Sequence, residues 1–139
     1  MPPRCRPRQA EVVHPEPDTR PGDATTVLVV DDHPAVRAAL CRLLQAQPGI
    51  RVVGVAGTVG EAAAIVEKLH PAVTLLDLSM PGEGGLDALP RLKHLHPAGR
   101  VVVYSLHDEP AYQRAALHEG ADGYVLKDDP NGLLAAVSA

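Results

Sequence analysis

Val27-Leu-Val-Val-Asp-Asp-His-Pro34 compresses a strand, a turn and a helix start into one short stretch. Val27 to Val30 form an apolar run without alternation, which suits a strand covered on both faces. Asp31 and Asp32 end that run with short polar side chains that favour turns. Pro34 suits the first turn of a helix, where its missing N–H deprives no carbonyl of a partner. Beyond it, Val36, Leu40, Leu43 and Leu44 fall on one helical face.

Outward from this stretch the same pattern recurs. Arg51-Val-Val-Gly-Val55, Val73-Thr-Leu-Leu76, Val101-Val-Val-Tyr104 and Tyr124-Val-Leu126 read as four further strands. Between the second and third, Ala62, Ile65, Val66 and Leu69 share a helical face. Pro110 opens a helix after Asp108, while Gly49 and Gly120 stand where helices stop. Five strand–helix alternations predict a doubly wound α/β fold on a parallel sheet. Pro90 interrupts the third helical pattern, Leu86-Asp-Ala-Leu-Pro-Arg-Leu92, and should bend that helix unless it sits near its start.

Composition narrows the function classes. The 139 residues suit one domain with a core sufficient for folding. Residues 1–24 are rich in Pro and Arg with little apolar content, so they are read as a disordered leader ahead of a domain spanning 25–139. The leader's four arginines are balanced by Glu11, Glu16, Asp18 and Asp23, leaving the domain the whole net charge of −4. An acidic domain with three aromatic residues (Tyr104, Tyr112 and Tyr124) offers neither a basic face nor stacking platforms for nucleic acid. No apolar run approaches the roughly 18 residues of a membrane span, and no signal peptide is visible, so a cytoplasmic location is expected. Cys5 and Cys41 have no metal or redox spacing and read as two unrelated reduced thiols.

In an open parallel α/β sheet, ligands bind just beyond the carboxyl ends of the strands. Here those ends carry Asp31 and Asp32 after the first strand, Asp77 after the third, Ser105 at the fourth and Lys127 after the fifth. Crowded carboxylates repel one another unless a cation joins them. An all-oxygen set favours a hard octahedral ion such as Mg²⁺. With such an ion, Asp77 could act as a nucleophile toward phosphorus, Lys127 could neutralise charge and Ser105 could donate to a phosphoryl oxygen. Taken singly, an Asp after a strand is commonly a helix cap and a lone Lys is commonly solvated. Their coincidence on one rim is the signal. His33 reads as a loop neighbour of the acidic pair, and the other histidines share no ligand spacing.

The segments Val29-Val-Asp-Asp-His-Pro34, Leu75-Leu-Asp-Leu-Ser-Met-Pro-Gly82, Val103-Tyr-Ser105 and Gly120-Ala-Asp-Gly-Tyr-Val-Leu-Lys127 resemble response-regulator receiver domains. The wording of Asp31-Asp-His-Pro34 and Gly120-Ala-Asp-Gly-Tyr-Val-Leu-Lys-Asp128 looks particularly like the NarL/LuxR subfamily. The resemblance implies a flavodoxin-like (βα)5 fold with strand order 2-1-3-4-5. It implies Asp77 as phosphoacceptor, with Asp31, Asp32, Asp77 and the backbone carbonyl of Ser79 around Mg²⁺ or Mn²⁺. Ser105 and Lys127 match the phosphoryl-contacting positions, Ser105 and Tyr124 the switch pair, and Pro81 the proline of the loop. The implied partners are a sensor histidine kinase and, on phosphorylation, a second copy of the chain.

Gly84 stands where the family places an Asp. The sequence ends at Ala139, early in the fifth helix, which predicts a truncated helix and no helix-turn-helix domain in this chain. The leading function is a regulatory phosphoacceptor rather than an enzyme. The alternatives are a phosphatase of the haloacid-dehalogenase type, a flavin-binding protein, and a pseudo-receiver that binds partners without phosphorylation. The phosphatase pattern needs a second Asp where His33 stands, and a flavin site would want a Trp or Phe, both absent from the chain.

Overall fold

The structure, a computed structural model, describes residues 10–12, 24–78 and 85–138. The strands are β1 (Ala10–Val12), β2 (Thr25–Val30), β3 (Ile50–Ala56), β4 (Val73–Asp77), β5 (Arg100–Ser105) and β6 (Gly123–Leu126). The helices are α1 (Pro34–Gln45), α2 (Val59–Leu69), α3 (Gly85–Leu95), α4 (Pro110–His118) and α5 (Pro130–Ser138). All strands join one sheet ordered β1-β3-β2-β4-β5-β6. β2 to β6 pair in parallel, and counted among themselves they run 2-1-3-4-5.

Strand alternation divides the apolar residues between two cores. Leu28, Val30, Leu76 and Val103 face the layer holding Ala62, Ile65, Val66, Leu89 and Leu92. Val27, Val29, Leu75 and Val102 face Cys41, Leu44, Leu133 and Val137 on the other side. Burying both sets explains why the strands read as unbroken apolar runs. Each fully buried Leu or Val contributes about 1.5–3 kcal/mol relative to exposure.

Local signals set the helix ends. Thr58 caps α2 by accepting the Glu61 N–H at 3.1 Å, and Glu61 reaches back to the Gly57 N–H at 2.9 Å. α4 ends in a Schellman turn: Ala121 N–H meets the Ala116 carbonyl and Gly120 N–H meets that of Leu117. Gly120 there has φ of 113°, a conformation side chains resist. Pro90 does lie inside α3, but its ring is exposed while Ala88, Leu89 and Leu92 are buried. It deprives only the Leu86 carbonyl, in the helix's first turns, of a bond.

Several expectations change. Within the stretch read as disordered, Ala10–Val12 pairs antiparallel with Gly54–Ala56 and occupies the free edge of β3. On α1 the fully packed residues are Arg37, Cys41 and Leu44, whereas Val36, Leu40 and Leu43 are only partly buried. The inner face is thus turned about one residue from the apolar stripe. Cys41 is buried and disulfide-bonded rather than a free thiol, and Cys5 lies outside the described residues.

Candidate phosphoryl and cation site

The chain leaves β2 toward β3 on one side and later returns to β4 on the other. The order reverses between β2 and β4, which opens a crevice at their carboxyl ends. Asp31 follows β2 and Asp77 ends β4, so both line that crevice. The Asp31 N–H donates to the Ala56 carbonyl at 2.9 Å, and the Lys127 N–H to the Ser105 carbonyl at 2.8 Å, pinning both loops to the sheet.

Asp31 and Asp77 are fully buried. Lys127 Nζ, with its side chain 13% exposed, lies 3.2 Å from Asp77 Oδ1 and 3.6 Å from Asp31 Oδ2. The Tyr104 hydroxyl donates to Asp31 Oδ2 at 2.6 Å. Burial raises the proton affinity of Asp31. The hydrogen bonds from Tyr104 and from the His33 backbone and ring, with the Lys127 charge, outweigh burial and hold its carboxyl below the usual range. Burial above all, then the Asp31 and Asp77 charges, push the Tyr104 hydroxyl far up, so it remains a donor.

Asp32 is more open, yet its Oδ1 is buried without a well-directed hydrogen bond among the described residues. His33 Nδ1 stands 2.9 Å from Asp31 Oδ1, 3.0 Å from Asp32 Oδ1 and 4.0 Å from Asp77 Oδ2. The Asp31 hydrogen bond, then the Asp32 and Asp31 charges, raise the His33 pKa. One ligand atom from each of Asp31, Asp32, His33 and Asp77 lies within 4.8 Å of the others. An orphaned buried acceptor amid oxygen donors fits a hard divalent cation.

Ser105 is buried and its Oγ accepts the His107 N–H at 3.0 Å. Tyr124, partly buried, donates its hydroxyl to the His107 carbonyl at 2.8 Å. Both switch candidates therefore hold one residue. Ser79, Pro81 and Gly84 lie outside the described residues. An apolar groove of about 610 Å³ between α1 and α5 opens beside His33 and Lys127, lined by Val36, Leu40, Leu43, Leu106 and Leu133.

Asp31, Asp32, Asp77, Ser105 and Lys127 thus gather on one rim. Sequence reasoning missed Tyr104 as a partner of Asp31, the central place of His33, and the burial of Arg37 on α1. Tyr104 had one signal, a polar-tipped aromatic closing a run of valines. Arg37 had another, its spacing of four and seven from Cys41 and Leu44.

Comparison with known proteins agrees with this geometry. A family model described as the response regulator receiver domain matches residues 27–138. The nitrate/nitrite response regulator protein NarL of Escherichia coli K12 is 40% identical over 116 residues, covering 83% of this chain and 54% of that protein. The chain therefore spans about half the length of the curated relatives it matches. A LuxR-family two-component response regulator from Aurantimonas superposes with a TM-score of 0.79 at 34% identity, covering 83% of both chains. A response regulator from Burkholderia pseudomallei, solved with a phosphorylated aspartic acid and a calcium ion, gives 0.72 at 26% identity, covering 81% of this chain and 66% of that one. No described helix is long and apolar enough to cross a membrane.

Proposed function

Because the chain belongs to the response regulator receiver domain family, we propose that Asp77 accepts a phosphoryl group from the phosphohistidine of a sensor kinase. Membership makes the domain regulatory and sets aside the phosphatase and flavin readings. The observation that carries the proposal is the buried Asp77 carboxylate, with Lys127 Nζ 3.2 Å from Oδ1 and an acidic pair beside it. An Asp77 oxygen attacks phosphorus, the P–N bond breaks, and the partner's imidazole leaves with its electron pair. Lys127 balances charge on the acceptor and its new group. Asp31, Asp32, Asp77 and the backbone carbonyl of Ser79 would hold Mg²⁺ or Mn²⁺, which when bound neutralises phosphoryl oxygens. The apolar groove beside Lys127 offers the kinase a docking surface next to the acceptor.

Readout runs through His107. A phosphoryl oxygen at Asp77 attracts the Ser105 hydroxyl away from the His107 N–H, and Tyr124 holds the other side of the same peptide plane's neighbour, the His107 carbonyl. Movement of that loop changes the face of α4, where Tyr112 and Leu117 are exposed, and there a second copy would pair. In a longer protein this step would regulate transcription through a separate helix-turn-helix domain, from within the cytoplasm.

Intact mass after incubation with Mg²⁺ and a small phosphodonor tests the assignment. The protein should gain about 80 Da, the mass of one phosphoryl group, and Asp77→Asn should gain nothing. An undiminished gain in Asp77→Asn would move the acceptor elsewhere. No gain in the parent protein would favour the pseudo-receiver.

A further inference from the structure

We propose that His33 is a nitrogen ligand of the cation held by Asp31, Asp32 and Asp77, and that it biases this site toward later 3d divalent ions such as Co²⁺ over Mg²⁺. The inference rests on the cation site proposed above and adds a donor to it. Around an octahedral ion with bonds of about 2.1 Å, neighbouring ligands lie about 3.0 Å apart and opposite ligands about 4.2 Å. His33 Nδ1 lies 2.9 and 3.0 Å from the Asp31 and Asp32 oxygens and 4.0 Å from that of Asp77. These are the separations of two neighbouring ligands and one opposite.

The carboxylate oxygens are divided between two basic groups. Lys127 faces Asp31 Oδ2 and Asp77 Oδ1, while His33 faces Asp31 Oδ1 and Asp77 Oδ2. Lys127 therefore occupies the phosphoryl side and leaves the His33 side to the cation. The ring is placed by the backbone. Pro34 restricts the preceding residue to extended conformations, and His33 has φ −96° and ψ 107°. Its N–H donates to Asp31 Oδ1 at 2.8 Å, tying residue 33 to the acidic pair. Without a cation, Nδ1 serves as the hydrogen-bond partner of Asp31. With one, Nδ1 turns its lone pair inward while the proton sits on Nε2, within reach of water because the side chain is 55% exposed.

An oxygen-only set suits Mg²⁺, whereas imidazole improves the match for the softer 3d ions. Pulsed electron paramagnetic resonance of the full chain with one equivalent of Mn²⁺ should show a directly bound nitrogen, absent in His33→Ala. In titrations, the ratio of Co²⁺ to Mg²⁺ affinity should fall about tenfold in His33→Ala, mostly through loss of Co²⁺ affinity. Nitrogen coupling that persists in His33→Ala, or an unchanged ratio, overturns the His33 assignment alone. Mn²⁺ binding undiminished by Asp32→Ala, or absent from the parent protein, overturns the cation site and this inference with it.

Discussion

At the amino-terminal edge of the parallel sheet, charges are matched and locked, whereas at the carboxyl-terminal edge three carboxylates crowd around a lysine and a histidine. On the first edge, Lys93 Nζ donates at 2.9 Å both to the Gly99 carbonyl and to Asp122 Oδ2, which also accepts the Val101 N–H. Arg100 reaches the Ala136 and Val137 carbonyls at 2.9 and 2.7 Å and so closes the end of α5. On the second edge, Asp31 and Asp77 are fully buried and Asp32 Oδ1 lacks a directed donor among the described residues. The same strands carry both arrangements. The difference teaches that one end is built to hold the fold while the other keeps like charges crowded together, a tension that a bound cation would relieve.

If that division is right, removing a charge should have opposite effects at the two ends. The largest change belongs to Asp122→Ala, which strands the Val101 N–H and takes the carboxylate partner from the Lys93 ammonium. A loss of about 2 kcal/mol is expected in urea unfolding, with no effect on phosphoryl acceptance beyond stability. A neutral result would remove Asp122 from the structural side of the comparison.

A smaller effect of the reverse sign is expected at Asp32→Asn. Without divalent cations this variant should be more stable than the parent by about 0.5–1 kcal/mol, since one of the crowded charges is gone. Added Mg²⁺ should raise the melting temperature of the parent and leave the variant nearly unmoved. Destabilisation of Asp32→Asn in the absence of metal would show that the acidic pair is structural.

The smallest effect tests the amino-terminal edge through pH. Burial first, then the nearby His70 and the Lys93 ammonium, lower the His96 pKa, against an opposing bond to Pro71. The His70 and His96 rings are 5.0 Å apart. With the folded value below the ordinary 6.5, the unfolded chain takes up this proton first. The contribution is complete above that value and is lost as pH falls through the folded one. Melting temperatures compared at about pH 7.5 and about pH 5.5 should fall further for the parent than for His96→Gln. Parallel falls would mean that His96 does not sense the pH.

Much of the fold was legible because parallel α/β proteins write their elements locally. Val27–Val30, Val73–Leu76 and Val101–Tyr104 could bury both faces only between helices, and Pro34, Pro110 and Gly120 marked helix ends through backbone geometry alone. The placing of the candidate site residues was legible for a related reason: Asp31, Asp77, Ser105 and Lys127 each sit where a strand delivers its chain to the rim. Other features depend on how distant segments meet. Tyr104 reaches Asp31 across 73 residues of sequence, through a strand order and register that no local pattern specifies. His33 has an unremarkable position in the chain and acquires its place only when β2 and β4 lie side by side and bring Asp77 within 4.0 Å. The strand at Ala10–Val12 likewise exists only against the open edge of β3, since three residues cannot offset their own ordering. Local propensity and burial pattern decided the elements and the rim to which each candidate residue is delivered, while distances between charges, set by sheet order and register, were decided by tertiary structure.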